Sequence, residues 1–213
     1  AQSLRSALLA DSIGVTGLAT THRILAAEGK SLSASRTTLY THQSPPLKDI
    51  VYWLNKKSIN LYAEHLVKMI GYTLLKDGST EGGTKAIVEY WKGKGIPVDG
   101  LHMMDGSGLS RYNGVTPNQL ASILRSNASQ PWFQDFFGSL PIAGIASCPG
   151  TLKNMCKGTA AEGNVWAKSG YISRVRTYAG YVADLKEEYD AETRFQLGYT
   201  MGQQGVSGTE DTD

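Results

Sequence analysis

The stretch WAKSGYISRVRTYAGYVADL, residues 166–185, has the composition of two β-strands joined by a turn. Aromatic and β-branched residues recur along it, and these residue types favour strands. The recurring positions are Tyr171, Ile172, Val175, Tyr178, Tyr181 and Val182. The stretch therefore predicts a pair of neighbouring strands and locates a β-sheet late in the chain.

The first predicted strand opens with the tripeptide Lys168-Ser169-Gly170. It places a cation, a hydroxyl and a residue without a side chain at the start of the strand. One interpretation is an ordinary edge strand whose lysine discourages pairing with another chain. The other is a site that holds a ligand against the sheet edge. The choice depends on what the rest of the sequence supplies.

Most of the chain before this stretch is predicted to be helical. Apolar residues follow helical spacing in residues 3–15, 47–58 and 59–75, and another helix is predicted around 84–95. The pair Thr116-Pro117 predicts a helix start, with threonine as the N-cap and proline at the first helical position.

Two further strands are predicted, at residues 33–42 and 193–202, with a polar tail at 206–213. Helices followed by a run of strands indicate an α+β fold, in which an antiparallel sheet is flanked by helices. We expect this domain to occupy residues 1–205.

Composition narrows the classes of function. The 213 residues carry a formal net charge of +2, and their basic residues are scattered, which argues against a nucleic-acid partner. No segment approaches the roughly 20 apolar residues that span a bilayer. The four histidines and two cysteines lack zinc-ligand spacing. We therefore expect no metal site.

Cys148 and Cys156 leave two alternatives open. In an oxidising compartment they could pair across a short loop, which would stabilise the fold by about 2–3 kcal/mol. Two unpaired thiols are an equal alternative, because the sequence does not determine their geometry.

A second short motif, Ser58-Ile59-Asn60, lies between two predicted helices. Taken alone it reads as a polar junction with Ser58 as an N-cap. Lys168-Ser169-Gly170 alone is also a weak signal, although less weak than Ser58-Ile59-Asn60. Penicillin-binding proteins and β-lactamases carry Ser-x-x-Lys, then Ser-x-Asn, then Lys-(Thr/Ser)-Gly. Here the second and third motifs occur in that order, one between helices and one at a strand start.

The sequence resembles the class C low-molecular-mass penicillin-binding proteins, the D-alanyl-D-alanine carboxypeptidase/endopeptidase family. The resemblance runs from about residue 40 to 185, through SPPLKDIVYWLNKKSINLYAEHLVKMIG, GLHMMDGSGLSRYNGVTP, LPIAGIASCPGTLKNMCKGT and VWAKSGYISRVRTYAGYVAD. It implies a transpeptidase/β-lactamase-like domain of a periplasmic or other extracytoplasmic enzyme that uses neither a metal nor an organic cofactor. In such an enzyme D-Ala-D-Ala acylates a serine, D-alanine leaves and water hydrolyses the ester, and β-lactams trap the same site.

The resemblance implies roles for the Ser-x-Asn motif and for the cation. Ser58 would relay a proton between the catalytic base and the leaving D-alanine amine. Asn60 would donate its side-chain amide to the peptide carbonyl of the substrate. Lys168 would bind the terminal carboxylate and set the electrostatics around the nucleophile.

It also implies roles for the residues that follow the lysine. Ser169 would bind the carboxylate with Lys168, and it stands where the family more often has threonine. Gly170 would let the substrate backbone lie close to the strand. The backbone N–H of Tyr171 would be one of two donors to the oxyanion.

The first family motif is missing, because no serine lies three residues before any lysine of the 213 residues. The nearest match, Thr73-Leu74-Leu75-Lys76, comes after Ser58-Ile59-Asn60 and is in the wrong order. The resemblance therefore implies the C-terminal part of a longer enzyme, inactive alone and bound by β-lactams only together with the missing part. Its incomplete core would expose apolar helix surface, so we expect self-association.

Two other interpretations stay open beside the enzyme. One is a non-catalytic peptidoglycan-binding or cell-wall assembly module that never carried the nucleophile. The other is a serine hydrolase built on Asp105-Gly106-Ser107-Gly108, but no apolar strand precedes this loop as a G-x-S-x-G elbow requires. We interpret that loop as structural, near the rim of the site.

Overall fold

The computed structural model describes residues 1–32, 37–172 and 175–183, and within them the stretch that begins at Trp166 contributes the two paired strands of a β-hairpin. Strand β1 spans Val165–Ile172 and strand β2 spans Val175–Val182. They pair antiparallel, with Val165 opposite Val182 and Ile172 opposite Val175. Together with the helices ahead of it, this hairpin confirms the α+β fold class.

The chain divides into two compact units, Ala1–Ser44 and a second that begins at Pro45. The first unit contains two short helices, α1 (Gln2–Ala10) and α2 (His22–Ala27). Helix α1 ends at Ala10, before the end of the helix predicted over residues 3–15, and α2 was not predicted. The Thr21 hydroxyl caps α2 by accepting a hydrogen bond from the Ile24 N–H at 3.2 Å.

The predicted strand at residues 33–42 is wrong over 37–42, where the backbone has no regular structure. The alternation of Leu39 and Tyr40 with polar residues suggested a strand, yet both side chains are exposed. No described strand pairs with this segment, and an unpaired strand is not stable in water. Residues 33–36, the strand predicted at 193–202 and the tail at 206–213 lie outside the described residues, so the domain bounds of 1–205 stay a prediction.

Five helices precede the hairpin in the second unit. They are α3 (Leu47–Lys57), α4 (Asn60–Leu75), α5 (Thr80–Gly93), α6 (Pro117–Ala128) and α7 (Phe133–Ser139). The predictions at 47–58 and 59–75 are confirmed almost to the residue. Helix α5 begins four residues before its prediction, because Ser79 caps it by accepting from the Gly82 N–H at 2.9 Å. Helix α7 was not predicted.

The predicted start of α6 is confirmed in detail. The Thr116 hydroxyl accepts from the Gln119 N–H at 3.2 Å, and the Gln119 side chain accepts from the Thr116 N–H at 2.9 Å. This reciprocal pair is a capping box, with Pro117 at the first helical position. The buried Gln119 amide also donates to the carbonyls of Pro97 and Asp99, at 3.0 and 2.9 Å.

Helices α4 and α5 pack closely because glycines lie between them. A Cβ atom at Gly83 of α5 would overlap the carbonyl oxygen and side chain of Val67 on α4. A Cβ atom at Gly71 of α4 would overlap the backbone of Gly82 and Gly83. Residues 77–83, DGSTEGG, thus separate α4 from α5 and also contribute to the contact between the two helices.

The two faces of the hairpin pack against different parts of the chain. On one face Tyr181 meets Phe133 edge-on, with ring centroids 5.3 Å apart, and its hydroxyl donates to the Leu124 carbonyl at 2.9 Å. On the other face Ala167 packs with Ala143 and Leu152 from the loop that follows α7. The hairpin is therefore held between α6 and α7 on one side and this loop on the other.

Residues 141–143 extend the sheet beyond β1. The Ala167 N–H donates to the Pro141 carbonyl at 3.0 Å, and the Ala143 N–H donates to the Val165 carbonyl at 2.9 Å. This pairing covers only the first part of β1. From Ser169 onward, no described backbone group pairs with the edge of β1 that faces away from β2.

Helix α4 exposes large apolar side chains, as predicted from the sequence for an incomplete core. The exposed side chains are Leu61, Tyr62, Met69, Ile70, Tyr72, Leu74 and Leu75. No helix within the described residues is long and apolar enough to cross a membrane.

Replacing Gly83 with alanine tests the α4–α5 contact. We expect Gly83→Ala to lower the free energy of unfolding by about 1–3 kcal/mol, because its methyl group would force the two helices apart. Gly93→Ala is the matched control in the same helix, since nothing lies within 4 Å of a Cβ there. The control should be neutral or gain up to about 1 kcal/mol from helix propensity. Urea unfolding measures both, and equal values for the two variants would contradict the packing argument.

Candidate active site

The structure brings Ser58 and Lys168 together although 110 residues separate them in the sequence. The Lys168 ammonium donates a hydrogen bond to the Ser58 hydroxyl at 2.9 Å. It also donates to the carbonyl of Ser169 at 2.7 Å. An ammonium has three donors and no acceptor. The described residues thus use two of its N–H groups, and the third is available to a bound anion.

Ser58 lies at the junction of α3 and α4 in a left-handed backbone conformation, with φ 53° and ψ 52°. It is the C-cap of α3, and the Ile59 N–H closes the helix by donating to the Leu54 carbonyl at 3.2 Å. The interpretation of Ser58 as an N-cap is wrong, because Ile59 occupies that position before α4. Non-glycine residues adopt this conformation rarely and at a cost of about 1–3 kcal/mol. The turn projects the Ser58 hydroxyl toward the start of the hairpin.

Asn60 is the first residue of α4 and is exposed. No described residue hydrogen-bonds its side-chain amide. The amide is therefore available to a ligand, two residues from the serine that contacts Lys168.

A second lysine, Lys56, lies two residues before Ser58 and is buried, with only 3% of its surface exposed. Its ammonium donates to the carbonyl of Leu140, lies 3.3 Å from the Cys148 sulfur and sits 5.5 Å from the centre of the Tyr52 ring. No described carboxylate pairs with it. Lys56 therefore ties the end of α3 to the backbone that leads into residues 141–143, and so to β1.

Burial lowers the pKa of Lys168 from its ordinary value of 10.5. The cause is desolvation, which disfavours the charged form. The Ser58 hydroxyl and the Ser169 carbonyl replace part of the lost hydration. A partly desolvated ammonium with one free donor interacts more strongly with an anion than a solvated one does.

The Ser169 hydroxyl points to the opposite face of β1 from the Lys168 side chain, because neighbouring side chains alternate along a strand. It lies 2.6 Å from the hydroxyl of Thr151. Thr151 belongs to the loop after α7 and is exposed. Two hydroxyls thus lie on one face of β1 and the ammonium reaches its edge from the other.

The direction of the backbone groups follows from the pairing of β1. Val165 and Ala167 bond to residues 141–143 on the edge away from β2, and alternate residues of a strand share a direction. Ser169 and Tyr171 follow Ala167 at intervals of two residues, so their N–H and C=O groups face the unpaired part of that edge. The Tyr171 side chain is 70% exposed, and the centre of its ring lies 5.3 Å from the guanidinium carbon of Arg176.

Gly170 has a structural reason to be glycine in addition to its predicted role. It faces Thr177 on β2, and a Cβ atom at residue 170 would overlap the Thr177 hydroxyl. A side chain at residue 170 would therefore require the Thr177 side chain to move.

The loop that begins at Asp105 has the structure of a docked turn, in agreement with its structural interpretation. The Asp105 carboxylate accepts from the backbone N–H groups of Gly108 and Ser110, at 2.8 and 2.6 Å. The Ser107 N–H donates to Glu64 of α4 at 3.0 Å. The pKa of Glu64 is lowered, chiefly because its carboxylate accepts a hydrogen bond from the Ser107 side chain.

Cys148 and Cys156 are unpaired in this structure. Cys148 instead lies beside the Lys56 ammonium. Cys156 adopts a left-handed conformation at φ 60° and packs near Leu152. Of the two open alternatives, the structure has the two free thiols. No group of three or more metal-ligating side chains occurs in the described part of the chain.

Sequence reasoning missed Lys56 and Thr151. Lys56 reads as a solvated lysine in the last turn of a helix, where a cation suits the helix dipole. Its helical spacing from Tyr52 was the available signal, since it places the lysine on the same face as a half-buried aromatic ring. Thr151 carries no local signal, because its contact with Ser169 depends on how a loop folds over the strand.

The chain is similar to known proteins over most of its length. The sequence profile of the family described as D-Ala-D-Ala carboxypeptidase 3 (S13) matches residues 1–191. The D-alanyl-D-alanine carboxypeptidase of Actinomadura sp. (strain R39) is 42% identical over 172 residues, which are 80% of this chain and 30% of that protein. The D-alanyl-D-alanine carboxypeptidase DacB of Haemophilus influenzae is 30% identical over 165 residues, 77% of this chain and 34% of that protein.

Solved structures show the same fold. The crystal structure of penicillin binding protein 4 (dacB) from Haemophilus influenzae matches with a TM-score of 0.68 and 26% identity, over 80% of this chain and 37% of that chain. Its complex with a novel β-lactam gives a TM-score of 0.69 and 25% identity, over 86% and 42%. The chain spans about a third of the length of the two carboxypeptidases it matches.

The lowered pKa of Lys168 predicts how stability depends on pH. The unfolded chain holds the Lys168 proton more tightly than the folded chain does. Burial of the charged lysine therefore lowers the free energy of unfolding by its full amount below the folded pKa, and this loss of stability disappears as the pH rises past 10.5. We expect wild-type stability to rise relative to Lys168→Met between neutral pH and pH 10.5. Urea unfolding across that range measures the difference. Lys92→Met, on the exposed surface of α5, should keep the wild-type slope, and a constant difference for Lys168→Met would contradict the argument.

Proposed function

Because the chain belongs to the D-Ala-D-Ala carboxypeptidase 3 (S13) family, we propose that it supplies the substrate-holding part of a serine D-alanyl-D-alanine carboxypeptidase/endopeptidase. Its substrate would be a peptidoglycan stem peptide that ends in D-Ala-D-Ala. The observation that carries this proposal is the 2.9 Å hydrogen bond from Lys168 to Ser58. It joins the Ser-x-Asn and Lys-Ser-Gly motifs into one site.

The direction of that hydrogen bond suits proton transfer. An ammonium only donates, so Ser58 is the acceptor and its own hydroxyl proton is free to move. Ser58 would pass this proton to the departing D-alanine amine and recover another from the catalytic base. The ammonium of Lys168 keeps the hydroxyl in place and stabilises negative charge that develops on its oxygen.

The unpaired edge of β1 supports the binding of an extended peptide. A peptide that adds to this edge would bond to the backbone groups of Ser169 and Tyr171. Its terminal carboxylate would meet the free N–H of Lys168 and the hydroxyl of Ser169, while Gly170 leaves room for its backbone. The Asn60 amide would donate to the peptide carbonyl.

The Tyr171 N–H would be one of two donors to the oxyanion formed when the scissile carbonyl is attacked. The loss of one such donor typically costs about 3–4 kcal/mol of transition-state stabilisation. Because the N–H is a backbone group, side-chain substitution at residue 171 would leave it in place.

The nucleophile is the part of the mechanism that these residues do not contain. No serine precedes a lysine by three residues, and Thr73-Leu74-Leu75-Lys76 runs through the last turn of α4 to its C-cap. We propose that these 213 residues are inactive alone, and that acylation requires a serine and a lysine from outside them. The exposed apolar face of α4 would then pack against another part of the protein or against a second copy.

The enzyme would act in the periplasm or another compartment of the cell envelope, where its substrate lies. A non-catalytic peptidoglycan-binding or assembly module is the alternative, favoured by the missing Ser-x-x-Lys motif. Both functions require the same peptide site. The coding sequence ahead of Ala1 separates them, because a Ser-x-x-Lys motif there supplies the nucleophile of an enzyme and its absence favours the module.

Peptide binding tests the site itself. We expect a peptide that ends in D-Ala-D-Ala to bind the 213-residue chain and to shift amide resonances of β1 in NMR titrations. The same peptide ending in L-Ala-L-Ala should bind more weakly. Lys168→Met removes the cation that meets the carboxylate and should weaken binding about tenfold or more, whereas Lys92→Met should not. Binding that is unchanged in Lys168→Met would refute the assignment.

Fluorescent penicillin tests the absence of a nucleophile. We expect no covalent label on the 213-residue chain after incubation and denaturing electrophoresis, because acylation needs an activated serine. A D-Ala-D-Ala carboxypeptidase of the same family is the positive control. A stable label on this chain would show that one of its own serines attacks β-lactams, and the proposed division of the site would then be wrong.

A further inference from the structure

The hydroxyl groups of Thr151 and Ser169 lie 2.6 Å apart, a short hydrogen bond between two exposed or half-buried groups. Thr151 follows Gly150, which has φ +145° and packs so closely on Pro141 that a Cβ there would overlap it. The next residue, Leu152, is 1% exposed in the cluster beneath β1. Thr151 is therefore held from both sides, although its own side chain is open to solvent.

The pair of hydroxyls leaves one proton free, whichever of them donates. If Thr151 donates to Ser169, the free proton belongs to Ser169. The Ser169 hydroxyl then accepts one hydrogen bond while it donates another, and such a hydroxyl is a stronger donor than an isolated one. The ammonium of Lys168 lies at the carbonyl of the same residue, 2.7 Å from it. A charged donor and a strengthened neutral donor thus flank the unpaired edge of β1 from its two faces.

We propose that Thr151 is a positioning residue that acts through Ser169 and orients its hydroxyl proton toward the terminal carboxylate of a bound peptide. This inference rests on the proposed function, since it concerns the same carboxylate. Thr151 donates to Ser169, Ser169 donates to one carboxylate oxygen, and Lys168 donates to the other. The serine that replaces the commoner threonine in the Lys-Ser-Gly motif makes this support more important, because a serine side chain rotates more freely than a β-branched one.

A purely structural role for the contact makes a different prediction. Thr151 also ties its loop to β1, and loss of that tie would weaken all ligands of the edge alike. Orientation of the Ser169 proton instead matters for a carboxylate, which accepts strongly, and much less for a terminal carboxamide. The ratio of the affinities for these two ligands therefore separates the roles.

The experiment compares a peptide ending in D-Ala-D-Ala with its C-terminal carboxamide, both titrated by NMR into the 213-residue chain. Thr151→Val keeps the shape and removes the hydroxyl, and Thr151→Ser keeps the hydroxyl. Thr159→Val is the matched control, because Thr159 lies in the same loop and its hydroxyl donates to the Cys156 carbonyl at 2.8 Å. Thermal unfolding verifies that each variant is folded.

We expect wild type to prefer the carboxylate and Thr151→Val to lower that preference about tenfold, which corresponds to about 1.4 kcal/mol. Thr151→Ser and Thr159→Val should keep the wild-type preference. An unchanged preference in Thr151→Val, or an equal loss for both ligands, would overturn the role of Thr151 and leave the proposed function standing. If wild type itself does not prefer the carboxylate, the proposed carboxylate site fails, and the role of Thr151 fails with it.

Discussion

One hydrogen bond, from the Lys168 ammonium to the Ser58 hydroxyl, joins the helical part of the second unit to its hairpin at the site. Each partner depends on a different local structure. Ser58 needs the left-handed turn between α3 and α4, and Lys168 needs the register of β1 against β2. An error of one residue in that register would move the lysine to the opposite face of the sheet. The site therefore forms only when the helices, the hairpin and their packing are all correct.

A second set of contacts, made by Lys56, also connects α3 to β1. Buried Lys56 binds the Leu140 carbonyl, and the residues that follow Leu140 pair with the first half of β1. The end of α3 and the start of β1 are thus connected both through Lys56 and through Lys168. The connection through Lys56 is buried, whereas the connection through Lys168 is partly exposed. This arrangement supports the more exposed groups of the candidate site on a buried contact.

The site uses conformations and charges that folding alone would avoid. Ser58 adopts a strained backbone conformation for a residue other than glycine. Burial lowers the pKa of Lys168, so its ammonium is held in an environment that disfavours charge. Asn60 and the edge of β1 beyond Ser169 lack partners among the described residues. Such features oppose stability, and they are common at functional sites.

Local sequence determined much of this protein: the hairpin, the spans of α3 and α4, and the capped start of α6. It also displays two short motifs, Ser58-Ile59-Asn60 and Lys168-Ser169-Gly170, in the order that the family resemblance predicts. These features depend on composition and spacing within a few residues, which a sequence displays directly. It did not predict the early start of α5, the irregular backbone of residues 37–42 or the C-cap position of Ser58. Only the tertiary structure decided which groups meet, because Lys168 contacts Ser58 across 110 residues and Lys56 contacts Leu140 across 84. Contacts over such distances arise from packing, which no local pattern encodes.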